Sequence, residues 1–446
     1  MHSPRDSLPG SRNRPEGIAS NPLALTPLAR GVLFQVQMHF PKLQRLPELD
    51  ALRGLFLVWM TLTHLPTRFA DFVNQPFGYI SSAEGFVFMS ALLIGRLYIR
   101  KMMEDPEGVR AHLWRRSFKL YAYHMFLLVF AFTIAASWAV HAHRAAITNL
   151  LNFYLSHPAT AIAGSVFLIY CPPLLDILPM YVMFLFLTPL FLSAALRLGW
   201  KTVLAVSTFI WLLAQFGLRD IVHNWVVHIT HLQIPLQETG AFNLFAWQGV
   251  WIAGLWLGSR SAHHDMPFAR IPRWGVALAA SACVFFLAVR HGWLGPHLND
   301  QAMGLLVDKW QIGVLRVVNV AAFMIVAYWL RKYVAIAVAR EPFLTLGKAS
   351  LQVFCAHLFF VFGGLFLLYG EMEQLHGWTA VILIAVTYVC LFLVAANEVR
   401  KKRRAKQARA AAQATLPPPA TPLGNAHTMA AHPALLEERS EPLPLR

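Results

Sequence analysis

Charge is scarce in this 446-residue chain: 13% of residues are charged, against 57% hydrophobic. A soluble protein carries about 25% charged residues, so the composition excludes an ordinary soluble domain. Acidic residues are scarcer still, 22 against 38 Lys and Arg, for a formal net charge of +16. Such a surplus suggests nucleic acid as a partner. The basic residues, however, sit between apolar spans rather than in one soluble patch, so they read as membrane topology and no nucleic acid is expected. Cysteine is almost absent. Cys171, Cys283, Cys355 and Cys390 have no CxxC or CxxxC spacing and read as packing residues, which leaves no disulfide or metal framework. His141, His143, His228, His231, His263 and His264 are loosely spaced without a Cys or acidic partner set, so no metal is expected there either. The first 20 residues lack the apolar core of a signal peptide, and the first span is expected to serve as an uncleaved start-transfer helix. No internal repeat is visible, which weighs against a secondary transporter.

What the chain has is long apolar segments. Ten are read as spans, at about 51–67, 80–99, 118–140, 174–196, 201–217, 242–258, 274–290, 311–330, 349–369 and 378–396. Each approaches the ~20 residues that cross a bilayer. The expected fold is an all-α polytopic membrane protein with about ten transmembrane helices and both termini cytoplasmic, in a bacterial inner membrane. With the N-terminus inside, the inner loops hold sixteen Lys and Arg, among them Arg96, Arg115, Arg116, Lys119, Arg260 and Lys348. The outer loops hold five: Arg68, Arg144, Arg219, Arg290 and Lys309. That asymmetry obeys the positive-inside rule. Three regions follow: a mostly disordered tail over 1–44, a membrane domain over 45–399, and a disordered tail over 400–446. Leu23–Phe40 is mildly apolar and suited to the membrane surface. The second tail opens with the basic run Arg400–Arg404 and then turns rich in Ala and Pro. Ile162–Tyr170, ahead of the fourth span, suits an interfacial or re-entrant piece.

The sharpest feature lies in the first span, where Arg53 and His64 stand eleven residues apart. Eleven helical residues return a side chain to within about 20° of its starting direction and raise it roughly 16 Å. One face therefore carries an arginine near the inner end and a histidine in the outer half. Ionisable groups inside a bilayer are costly and functional by default. His64 suits a base that deprotonates an acceptor hydroxyl, or a carrier of an acyl group; it equally suits a structural hydrogen bond between helices. Arg53 suits an anionic donor, or snorkelling to the interface beside Asp50.

Glu84 falls at a depth similar to His64 in the second span, where a carboxylate orients an imidazole or simply reaches solvent. His124 in the third span and His357 in the ninth are accessory candidates or helix–helix hydrogen bonders. Ser350 and His357 share a face, seven residues apart. Arg115, Arg116 and Lys119 at the inner end of the third span suit phosphates, or topology alone. A proton-coupled transporter or channel using His64 and Glu84 is the main competing reading, and a haem carrier ligated by His64, His124 or His357 is another.

The Arg53–His64 spacing resembles the motif of the acyltransferase-3 superfamily of membrane acyltransferases. More narrowly, the chain resembles the OpgC family, associated with succinylating osmoregulated periplasmic glucans. The resemblance rests on Leu49–Gly54, Ala83–Ser90, Asp176–Tyr181, Phe242–Gln248 and Gly347–His357, in order. Ala91 departs from the Gly expected after the Phe-Met-Ser run. The resemblance implies an O-acyltransferase that moves a succinyl or similar short acyl group from cytoplasmic acyl-CoA, such as succinyl-CoA, to hydroxyls of a periplasmic glucan. On that reading His64 is the base, Glu84 orients it, and Arg53, Arg115, Arg116, Lys119 and Lys348 hold the donor.

Overall fold

In the computed structural model, residues 46–295, 300–370 and 373–414 are described. Local chemistry starts the principal helices. Helix α1 (Pro47–His64) opens with Pro at its first position and Glu48 and Asp50 in its first turn, where carboxylates favour the helix dipole. Asp50 thus sits inside the first turn, and Leu46 takes the cap position. Helix α2 (Ser82–Glu104) opens with a capping box between Ser81 and Glu84. Helix α3 (Pro106–Phe130) is capped by Asp105, which accepts from the Gly108 N–H. A π-helical turn over Ala131–Ala135 leads it into Ala136–His141, a continuous 36-residue element. The others are α4 (Ile177–Leu198), α5 (Trp200–Gln215), α6 (Leu244–Ala262), α7 (Arg273–Arg290), α8 (Val314–Trp329), α9 (Ser350–Phe366) and α10 (Gly377–Ala414).

Each of the ten apolar segments read from the sequence therefore holds a helix, and no strand occurs among the described residues. Among the described residues, five helices are long and apolar enough to cross a membrane, or up to seven if each bent pair is one span. The bent pairs are α5 with Leu218–Thr230 and α8 with Arg331–Val338, each turned by 80°. Helix α1 carries Glu48, Asp50 and Arg53 within 18 residues. The stretch around Ile162–Tyr170 forms short helices, ending in Pro158–Val166, that bury Ala161, Gly164, Ser165 and Tyr170. Helix α10 continues through the basic run as far as Ala414, so residues 400–414 are helical where a disordered tail is expected. The expected tail over 1–44, including Leu23–Phe40, and residues 415–446 lie outside the described residues.

Burial separates the centre from the rim. In α2, 72% of the apolar window is buried; in α7 and α10 only 17% and 22% are. Phe126, Ile134 and Trp138 of the third helix and Trp378, Ile382 and Val389 of α10 are exposed. Apolar surface on that scale is stable only against lipid.

Small residues bring the central helices together. Gly95 of α2 faces the Leu255 backbone, and Gly254 and Gly258 of α6 face the Phe88 and Leu92 carbonyls, so closely that an added Cβ would collide. This is backbone contact of the small-xxx-small kind used inside membranes. Gly258→Leu is expected to force α6 off α2 and cost about 2 kcal/mol of stability or more. A lowered thermal midpoint in detergent would register it. Gly249→Ala is the control, because a Cβ there meets open space.

Candidate active site

Among the polar pairs inside the bundle, three involve residues that bear on the site. On α1, the Arg53 guanidinium donates from Nη2 to Ser350 Oγ at 2.5 Å, and His64 Nδ1 lies 3.1 Å from His357 Nε2. Both partners belong to α9. The order of the contacts means that α1 and α9 run in the same direction side by side. Eleven residues separate the α1 groups and seven the α9 groups, a mismatch of roughly 6 Å in helix rise. The long arginine side chain spans that difference. The third pair joins α2 to α8: Arg316 Nε donates to Glu84 Oε1 at 2.5 Å.

Hydrogen-bond roles at the histidine pair follow by elimination. His357 Nδ1 bonds the Phe354 carbonyl, which only accepts, so Nδ1 carries the proton. His357 Nε2 is then an acceptor, and His64 Nδ1–H donates a hydrogen bond to it. The chain leaves the lone pair of His64 on Nε2. The two rings are near-parallel, 20° apart with centroids 5.4 Å apart. His357 is buried and His64 half-buried, which suits an anchored partner behind a working base.

Beside the Arg53–Ser350 pair opens a cleft lined by Arg53, Arg116, Ser350, Phe86, Tyr181 and Phe354, among others. Arg53 lies over the Phe86 ring, 5.9 Å from its centroid, and Phe86 stacks on Phe354. The Phe354 ring in turn contacts His357, with centroids 4.9 Å apart. Cationic groups thus share the cleft with an aromatic stack that continues through Phe354 to His357. Ser350 opens α9, so the positive end of that helix dipole also faces this region.

The other residues singled out in the sequence divide. Of the basic cluster on α3, Arg116 enters the cleft, whereas Arg115 and Lys119 are exposed and Arg115 bonds the Ala111 carbonyl of its own helix. Lys348 precedes α9, half-buried, two residues before Ser350. His124 is fully buried on α3, and neither ring nitrogen has a partner among the described residues. Glu84 accepts from the backbone N–H and the hydroxyl of Ser81 as well as from Arg316. Among the described residues no contact joins it to His64, and the imidazole is held by His357. The sequence reading passed over Arg316, fully buried in α8. An arginine within an apolar span is itself the signal that would have found it.

A protein-family model described as OpgC protein matches residues 45–404. The chain belongs to the OpgC family. The OpgC match starts just before α1 and ends within α10, so it takes in all three pairs and the cleft. Membership implies an acyltransferase-type enzyme, and the apolar helices make it a membrane protein. Neither the curated proteins nor the solved structures include a match.

The Glu84–Arg316 pair gives a clean test of structure apart from chemistry. Removing one member strands the other as a buried charge, which costs about 3–5 kcal/mol. Arg316→Met is therefore expected to lower the unfolding midpoint of the purified protein sharply. The double variant Glu84→Gln with Arg316→Met should recover part of the loss in the same measurement.

Proposed function

We propose that this OpgC-family protein is an O-acyltransferase that moves a succinyl or similar short acyl group from cytoplasmic acyl-CoA to hydroxyls of periplasmic glucans. The observation that carries the reading is the chain from the Phe354 carbonyl through His357 to His64, joined through Phe354 to a cleft that Arg53 and Arg116 also line. The surplus of Lys and Arg in alternate loops supports a topology with the Arg53 end of α1 inside and His64 towards the outside.

In this reading Arg53 and Arg116 attract the anionic donor through charge-assisted hydrogen bonds, with Lys348 nearby. The donor's extended arm runs along the Phe86–Phe354 wall, which is apolar and excludes water. Its thioester then meets His64, and the acceptor hydroxyl arrives from the opposite end. His64 Nε2 takes the hydroxyl proton as the sugar oxygen attacks the thioester carbonyl. The C–S bond breaks, an ester forms, and the proton passes from His64 to the departing CoA sulfur. His357 spreads the imidazolium charge and fixes the tautomer, and Phe354 fixes His357.

Two outcomes are expected. In cells lacking the gene, wild type restores a discrete acidic acyl mass on extracted periplasmic glucans, read by anion exchange and mass analysis. His64→Ala, inserted at wild-type levels, does not, because a positioned base is worth about 10²–10⁴-fold. Glucans left unchanged by wild type would sink the acceptor assignment. For the donor end, Arg53→Ala should raise the KM for acyl-CoA by about tenfold or more with a smaller change in kcat, since charged hydrogen bonds contribute about 1.5–3 kcal/mol. An unchanged KM would remove Arg53 from the donor site.

A further inference from the structure

One segment that the acyl-transfer mechanism does not use is residues 307–313, between the Asp300–Leu306 helix and α8. It is held from several sides. Arg316 Nη1 donates to the Val307 carbonyl, Trp211 Nε1 to Ile312 and Gln215 Nε2 to Gln311. The Trp310 carbonyl accepts from the Asn243 N–H and from Trp247 Nε1, and Asp308 caps the Trp310 and Gln311 N–H groups. A segment fixed this firmly presents Lys309 in one place, half-buried, with its ammonium 4.5 Å from the centroid of the Trp310 ring.

Lys309 is close enough to act electrostatically on His64, Glu84, Asp176 and Arg316. Neither nearby carboxylate is open to it. Glu84 is engaged by Ser81 and Arg316, and Asp176 accepts the Ala241 N–H. Among the described residues no carboxylate comes within ion-pair distance of Lys309. Arg316 is unfinished in the same way: Nε and Nη1 are bonded, but Nη2 is buried with no partner among the described residues. Burial also lowers the Lys309 pKa from its ordinary value, with Glu84 opposing the fall, so an incoming anion would stabilise its charge. An ammonium with no carboxylate at ion-pair distance, two residues along from the carbonyl that a guanidinium with one unused N–H group holds, matches a bound carboxylate.

We propose that Lys309 and Arg316 form a subsite beside His64 for the distal carboxylate of a dicarboxylic acyl group. The proposal rests on the acyl-transfer reading above and gives it a reason to favour a diacid donor. In a four-carbon diacid the far carboxylate lies about 4 Å beyond the thioester carbonyl, a span suited to a cation just past His64. An acetyl group leaves the subsite unused. The same chemistry would suit an anionic substituent on the acceptor glucan, and the test separates the two sources.

The full chain, purified in detergent, is assayed with succinyl-CoA and acetyl-CoA on a neutral glucan and on one bearing anionic groups. Lys309→Met should lower kcat/KM for succinyl-CoA by roughly 10- to 100-fold while acetyl transfer falls far less, and Lys309→Arg should restore most of the preference. Equal losses with both donors, or no loss, would overturn the subsite. A loss confined to the anionic glucan would overturn the acyl assignment and give the site to the acceptor. A readout without turnover accompanies these: free succinate should raise the thermal midpoint of wild type but not of Lys309→Met, and uncharged succinamide, which lacks the carboxylate, should raise neither. If wild type uses neither donor, acyl transfer fails, and the succinate shift alone still decides the subsite: its absence in wild type overturns it.

Discussion

Gly54 of α1 lies against the Phe343 carbonyl, and Gly347 against the Asp50 carbonyl, with no room for a Cβ at either place. Through these two glycines the backbone of α1 meets the short Phe343–Lys348 helix that leads into α9. That contact sets how α1 and α9 register, and the register brings Arg53 to Ser350 and His64 to His357. Farther along, the Tyr388 hydroxyl of α10 donates to the Val58 carbonyl of α1. The Leu375 and Pro66 backbones bond beyond the end of α1. The face of α1 that carries Arg53 and His64 is therefore fixed at both ends and from two sides, as the proposed catalysis by a positioned base requires, since an error of about 1 Å is costly.

The polar groups inside this bundle divide into two kinds of work. Glu84, Ser81 and Arg316 finish the start of α2 and tie it to α8, so that a helix end inside the protein keeps its N–H groups satisfied. The histidine pair does something else. One ring is buried and locked to a carbonyl, the other is half-buried, and the lone pair is directed away from the anchor. A purely structural pair has no need of that asymmetry. It is the arrangement of a base with its orienting partner, except that the orienting group is a neutral imidazole and not a carboxylate. A neutral partner avoids placing a further charge in the membrane interior, where each is costly.

Much of the architecture was legible because lipid imposes simple rules. A backbone in hydrocarbon must be helical, so every apolar segment announced a helix, and the eleven- and seven-residue spacings put Arg53 with His64 and Ser350 with His357 on common faces before any contact was known. What spacing within a helix cannot state is which faces meet. His64 and His357 are 293 residues apart and Glu84 and Arg316 are 232 apart, and those pairings come from glycine-mediated packing that leaves no periodic trace. Glu84 illustrates the consequence. Its depth matched His64, and depth made it the natural orienting group, but the Ser81–Glu84 capping box and Arg316 use both of its oxygens. The polar end of α10 was misjudged for a related reason: Ala, Lys, Arg and Gln are strong helix formers, and a helix already nucleated in an apolar segment propagates through them at little cost.

The distribution of charge along the site bears on the proposed direction of the chemistry. Arg53 and Arg116 line the cleft together with Phe86 and Phe354, and Phe354 in turn contacts His357. Were the polar groups only a proton relay, the carboxylate and the imidazole would be expected to touch, and they do not. Were the cleft only a lipid groove, there would be no reason to line it with two guanidinium groups and a serine at a helix N-terminus. A molecule that is anionic at one end, slender and apolar along its arm, and reactive at its tip satisfies all three parts at once. The proposed donor, a thioester of coenzyme A, has that form, and on the proposed mechanism its reactive tip meets the lone pair of His64.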